Sequence, residues 1–237
     1  MGSSRFPGKP MAIILGKPMI GHVFHNVQKN NLINNLAVAT CDNQIYDYIE
    51  SIGGHAIMTS DKHERASDRC AEALLIIEAR NKIKYDIVVM VQGDEPMIHP
   101  DMIDEAVQPM LNDSGILVTN LLGKIKTKQE FEDRNCIKVV CDLENNALYF
   151  SREPIPSKGK TMHTIMGKQI CVIPFKRDFL IEYNNLDPTP LEVAESVDMM
   201  RILEHGKKVR MVSTKYNSYA VDTNEDLLKV EIMMNSL

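Results

Sequence analysis

Short apolar runs alternate with amphipathic stretches along the first half of the chain. "NLAVAT" (35–40) and "HAIMTS" (55–60) read as strands, and "NQIYDYIESIGG" between them reads as a helix stopped by Gly53 and Gly54. "SDRCAEALLIIEARNK" predicts a long helix with Ser67 at its N-cap. "YDIVVMV" (85–91) is a continuous apolar run, the pattern of a parallel strand buried on both faces. "HPDMIDEAVQPML" predicts a helix with Pro100 and Asp101 in its first turn. A strand–helix alternation of this kind implies an α/β fold, a mostly parallel sheet flanked by helices. Ligands in such sheets bind at the carboxyl ends of the strands, so the chemistry is expected in the loops that follow them.

The texture changes near Phe131. "NCIKVVCD", "NALYFSR" and "KQICVIPF" read as short strands separated by turns, an antiparallel β insert over about 131–175. A helix over Leu191–His205 follows, closed by Gly206, then the strand "KVRMVST" and a last helix from "NEDLLKVE". There is no repeat, low-complexity segment or obvious linker, so residues 1–237 are expected to form a single domain carrying that insert.

Composition narrows the classes. The chain has 44% hydrophobic and 25% charged residues, enough apolar sequence for a core without staples. Its net charge of -5 argues against a nucleic-acid surface. No apolar run is long enough to cross a membrane and no signal-peptide core opens the chain, which favours the cytoplasm. Five irregularly spaced cysteines do not make a disulfide framework.

Several stretches could carry chemistry. In "GSSRFPGKP", glycines let backbone N–H groups approach an anion while Arg5 and Lys9 supply charge. The spacing is not that of a Walker loop, because Pro10 follows Lys9, and the stretch alone reads as a basic tail. In "VQGDEP", Asp94 and Glu95 sit just past a strand end, where a carboxylate suits Mg2+. In "AVDTNED", Asp222 either supplies a second metal ligand or helps cap the final helix. "HERASDRCAE" places Arg65, Asp68 and Arg69 at a helix start, a place for an anion, a base or a ribose. Glu192 and Glu195, one turn apart, are expected to face a cleft or a partner. His22 and His25 read as a polar helix face.

Together "SSRFPGKP", "KPMIGHV", "SDRCAEA", "VQGDEPMI", "ALYFSREPIP", "PLEVAESVDMMRILEHG" and "VDTNEDL" resemble, in order, the 3-deoxy-manno-octulosonate cytidylyltransferases, or CMP-Kdo synthetases. The resemblance implies a Rossmann-like nucleotidyltransferase that joins CTP to a 2-keto-3-deoxy sugar acid, releasing pyrophosphate. It also implies a cytoplasmic homodimer, with Mg2+, serving lipopolysaccharide or surface polysaccharide synthesis, and no nucleic-acid or membrane partner. By motif matching it puts Asp94 and Asp222 on the metal, with Lys9 as a third catalytic residue. It puts Ser4, Arg5, Lys9, Asp68 and Arg69 on the nucleotide, and Gln92, Arg152, Lys168, Gln169, Glu192 and Glu195 on the sugar. The insert would supply much of the dimer contact. Two departures stand out. The family carries a strand and a "PAR"-like turn ahead of the loop, so this chain is expected to be N-terminally shortened. A "HIGIYGY"-like stretch is replaced here by "KQICVIPF". The alternatives are a nucleotidyltransferase for another ulosonic or nonulosonic acid, and a degenerate nucleotide-binding protein.

Overall fold

A computed structural model describes residues 6–157 and 167–236. The chain opens with a 3-10 turn, Lys9–Met11, then β1 (Ile13–Ile14), β2 (Lys17–Pro18), α1 (Met19–Gln28), β3 (Val38–Thr40), α2 (Asn43–Ser51), β4 (Ala56–Met58), α3 (Ala66–Asn81), β5 (Ile87–Val91) and α4 (Asp101–Asn112). It continues through β6 (Thr119–Lys124), α5 (Lys128–Glu132), β7 (Lys138–Cys141), β8 (Ala147–Ser151), β9 (Gly167–Ile170) and β10 (Val172–Lys176). The last elements are α6 (Arg177–Asn184), α7 (Pro190–Glu195), α8 (Met199–Glu204), β11 (Arg210–Ser213) and α9 (Asn224–Asn235). This is the α/β architecture expected, with parallel and antiparallel strand pairs.

The contacts group the chain into two compact units. One gathers the chain up to Tyr85, Met90–Asp104 and the segment from Asn217; the other gathers Asp86–Val89 and Glu105–Tyr216. The β-rich insert therefore belongs to a second unit larger than 131–175.

In the first unit β3 and β4 pair in parallel, Val38 opposite Ala56. Ile20, Phe24, Ile45, Ile49 and Ala56 pack as one core cluster, and Ile14, Met19, Val221 and Val230 as a second that ties α9 to the chain start. The Asp42 carboxylate caps α2 by accepting from Gln44 and Ile45 N–H. Gly53, at φ 75, ends that helix as the sequence predicts. Gly21 admits the Tyr48 hydroxyl against α1: a Cβ there would force that side chain to shift.

In the second unit one five-stranded sheet has the order β11-β6-β9-β7-β8. β11 and β6 run parallel, whereas β6–β9, β9–β7 and β7–β8 are antiparallel. Lys138 on β7 is fully buried, and its ammonium donates to the carbonyls of Asp133 (2.8 Å), Cys136 (2.7 Å) and Arg152 (2.5 Å). Burial pushes this ammonium below its ordinary value. Lys138→Met is expected to leave those carbonyls without their donor and cost about 2–4 kcal/mol in urea unfolding; a cost under about 0.5 kcal/mol would show that the cradle is not structural.

Four local expectations change. Helix α3 starts at Ala66 with Arg65 in extended backbone as its N-cap, so Ser67 lies buried inside the first turn rather than capping. Strand β5 is only partly covered: Met90 is buried and its other residues are half-buried. "KQICVIPF" is two strands broken at Cys171, and the second, β10, pairs with β5 rather than within the five-stranded sheet. The single helix expected over Leu191–His205 is two, α7 and α8, separated by Ser196 at φ 51. The cause is Arg152, whose guanidinium takes the carbonyls of Glu195 (2.6 Å) and Ser196 (3.2 Å) that a continuous helix would use internally.

Candidate active site

Gly8 adopts the left-handed region (φ 73) and turns the chain into the Lys9–Met11 turn. Met11 N–H donates to Gly8 O and Ala12 N–H to Lys9 O, which fixes the Lys9 backbone. Its ammonium lies 2.7 Å from Asp94 Oδ2 and 3.2 Å from Asp222 Oδ1, with side-chain exposures of 12%, 19% and 17%. Burial alone would lower the Lys9 pKa, but the two carboxylates outweigh it and hold the group above its ordinary 10.5. Lys9 is therefore a fixed positive charge. Ser4 and Arg5 lie outside the described residues.

The two carboxylates come from loops stapled together. Asp94 follows β5, and its carbonyl accepts from Val221 N–H at 3.0 Å. Asp222 precedes α9, where the Thr223 hydroxyl accepts from Asp226 N–H and the Asp226 carboxylate accepts from the N–H groups of Asp222 and Thr223. Thr223 and Asp226 thus form the capping box, and the Asp222 carboxylate reaches Lys9 instead of capping.

The donor set fits a hard divalent cation. Asp94 Oδ1 is buried without a hydrogen-bond partner among the described residues, a costly arrangement for a carboxylate oxygen and one a cation would relieve. No cluster of three or more metal-ligating side chains occurs among the described residues. Two carboxylates suit Mg2+, which takes its remaining oxygens from phosphates and water.

Asp68 sits in the first turn of α3. The Arg69 guanidinium turns to the loop after β4, donating to Thr59 Oγ1 (2.5 Å) and Ser60 O (3.1 Å). Gln92, at the end of β5, is half-buried, and its carbonyl accepts from Glu95 N–H.

The remaining expected site residues belong to the second unit. Glu195 accepts from Tyr149 OH (3.1 Å), Ser151 Oγ (3.2 Å) and Arg152 N–H (2.8 Å). Arg152 additionally donates to Arg134 O. Gln169 Nε2 donates to Asn120 Oδ1 at 2.7 Å. Glu192 departs from the expectation. It is fully buried and turned inward, its two oxygens each 2.7 Å from the Arg201 guanidinium, so it faces Arg201 rather than a cleft. Lys168 is engaged with Glu130 at 2.9 Å. Burial would raise the Glu130 carboxyl, but the Lys168 bond and backbone N–H groups hold it below its ordinary 4.5. A folded pKa below the unfolded one gives stability that is present above pH 4.5 and lost as pH falls through the lower folded value. Glu130→Gln is expected to remove about 1 kcal/mol at pH 7 and progressively less below pH 4.5. Urea unfolding at pH 7 and pH 3.5 reads this, and an equal loss at both pH values would contradict it.

A family model described as Cytidylyltransferase matches residues 1–209. The chain belongs to the cytidylyltransferase family. It is 41% identical to the 3-deoxy-manno-octulosonate cytidylyltransferase of Geobacter metallireducens over 96% of this chain and 92% of that one. It is 40% identical to the enzyme of the same name from Geotalea uraniireducens, over 96% and 93%. Among solved structures it is similar to a CMP:2-keto-3-deoxy-manno-octonic acid synthetase complexed with CTP, with TM-score 0.86, 34% identity and coverage of 99% and 95%.

Within this cytidylyltransferase, Glu95, a candidate metal carboxylate by its place at the strand end, turns to a buried partner. It is 3% exposed and accepts a hydrogen bond from the buried Ser218 hydroxyl. Nothing in the sequence marks Ser218 as its partner.

Proposed function

We propose that this cytidylyltransferase couples CTP to 3-deoxy-manno-octulosonate, with Mg2+ held by Asp94 and Asp222 and the triphosphate gripped by Lys9. The observation that carries the metal assignment is the meeting of Asp94 and Asp222 at the Lys9 ammonium, with Asp94 Oδ1 buried and unsatisfied among the described residues. The names of the relatives support the substrates.

In the reaction the sugar's anomeric hydroxyl oxygen bonds to the α-phosphorus of CTP. The bond from that phosphorus to the bridging oxygen breaks, pyrophosphate leaves with the electron pair, and the hydroxyl proton passes to solvent. Bound Mg2+ would supply charge neutralisation on the phosphates and acidify the attacking hydroxyl. Lys9 is fixed with its charge inside a partly dry site, where it stabilises negative charge gathering on the leaving phosphates more strongly than it would in water. Its two carboxylates hold the ammonium next to the metal site, and it turns from them to the phosphates once the cation takes their charge. Arg69 braces the loop after β4 beside the first turn of α3, the segment assigned to the nucleotide. The family resemblance adds a cytoplasmic homodimer acting in lipopolysaccharide synthesis.

A second reading keeps the reaction and changes the sugar to a related 2-keto-3-deoxy acid. It is favoured by the "KQICVIPF" segment, where Lys168 and Gln169 bond to Glu130 and Asn120. Pyrophosphate release with each nucleoside triphosphate and a panel of ulosonic acids separates the readings. CTP with 3-deoxy-manno-octulosonate is expected to give the highest kcat/KM. A higher value with an amino-substituted or nine-carbon acid would favour the second reading, and no release with any acid would overturn both.

A further inference from the structure

We infer that Glu95 and Ser218 are a positioning pair that sets the separation of Asp94 and Asp222. The inference rests on the reading of those two aspartates as the metal-holding carboxylates. Glu95 follows Asp94 directly, and Ser218 lies four residues before Asp222. Both are buried, at 3% and 2% exposure, and the Ser218 hydroxyl donates to Glu95 Oε2 across 123 residues of sequence. A buried carboxyl group is costly unless hydrogen bonds compensate it, so the Ser218 contact is one the fold holds in place.

The bond does not act alone. Asp94 O accepts from Val221 N–H at 3.0 Å, and Pro96 O accepts from Asn26 Nδ2 of α1 at 3.2 Å. Three successive residues of the 94–96 loop are thus tethered, two of them to the 218–221 segment. The backbone bond fixes the two loops at one point. The side-chain bond supplies a second point, and two points remove the rotation that one would leave free. Asp222, the residue after Val221, is therefore held at a set distance from Asp94. Mg2+ demands near-ideal octahedral geometry at about 2.0–2.1 Å, so a change of a few tenths of an ångström between carboxylates is felt as lost affinity. A pair serving only the fold would show in melting temperature and leave metal affinity alone.

Ser218→Ala removes the hydroxyl with little change in volume, and Glu95→Gln keeps an acceptor oxygen in a side chain of the same size. Mn2+ binding to the protein–CTP complex, followed by the electron paramagnetic resonance of free Mn2+, gives the metal Kd without turnover. Ser218→Ala is expected to raise that Kd and the half-saturating Mg2+ for turnover about tenfold, with turnover at saturating Mg2+ within about threefold of wild type. Glu95→Gln, retaining the acceptor, is expected to raise the Kd about threefold and so to rescue most of the loss. A folded Ser218→Ala protein with a lowered melting temperature and an unchanged Mn2+ Kd would overturn the proposal. Should Ser218→Ala not fold, an unchanged Kd in Glu95→Gln would overturn it equally. Wild-type turnover that needs no divalent metal would instead overturn the reading of Asp94 and Asp222, and this proposal with it.

Discussion

Asp94→Asn is expected to lower kcat by about 1,000-fold or more while the protein stays folded. The substitution keeps the shape of the side chain and removes its charge. Asp94 Oδ2 lies 2.7 Å from the Lys9 ammonium, and Oδ1 is buried without a partner among the described residues. An amide at this position would place a nitrogen or a weakly basic oxygen where a hard cation needs an anionic one, and half of the two-carboxylate set would be lost. The fold is expected to tolerate the change, because Lys9 keeps Asp222 at 3.2 Å and the Asp94 carbonyl keeps Val221 N–H. A melting temperature within a few degrees of wild type, with turnover near background, is the expected pair of results. Turnover within tenfold of wild type would contradict the assignment of Asp94.

The second large effect falls on stability. Arg201→Leu is expected to cost about 3–5 kcal/mol, because it strands a buried carboxylate. Glu192 is fully buried and Arg201 nearly so, and the pair is bidentate with both bonds at 2.7 Å. Arg201 also donates to Leu186 O and stacks over the Tyr183 ring at 5.0 Å. A loss of that size is a large share of a total stability of about 5–15 kcal/mol, so soluble yield should fall with it. The double variant Glu192→Met/Arg201→Leu removes both charges and is expected to recover part of the loss, since two apolar groups of similar volume replace an ion pair at little net cost. Urea unfolding of the two variants reads the coupling directly. A single-variant cost under about 1 kcal/mol would show that the pair is not a structural clamp.

Much of this was legible in the chain. Alternating apolar runs located β3, β4 and β5, and Gly53 marked the end of α2, because these signals are local. Asp94 and Asp222 were legible as candidates because each sits in a loop next to a regular element, and "VDTNED" carries its own capping chemistry. The grouping of Lys9 with those carboxylates was legible only through the family resemblance, since no local signal joins residues 85 and 213 apart. Glu192 misled for a physical reason: spacing placed it beside Glu195, but its partner is Arg201, nine residues on across a helix break. That break depends on Arg152 capturing two helix carbonyls, a contact spanning more than 40 residues. The division into two units was equally hidden, because the chain changes unit within β5 and within α4, inside elements where no linker composition marks the boundary.

The central claim is that Asp94 and Asp222 hold one divalent cation on the triphosphate of CTP while Lys9 turns to the phosphates. Crystals grown with CTP and Mn2+, measured at the manganese absorption edge, test it most directly. The account predicts an anomalous peak about 2.1 Å from a carboxylate oxygen of each aspartate, with the Lys9 ammonium within hydrogen-bond distance of a phosphate oxygen. A peak surrounded only by phosphate and water oxygens, with Lys9 still bridging Asp94 and Asp222, would contradict it.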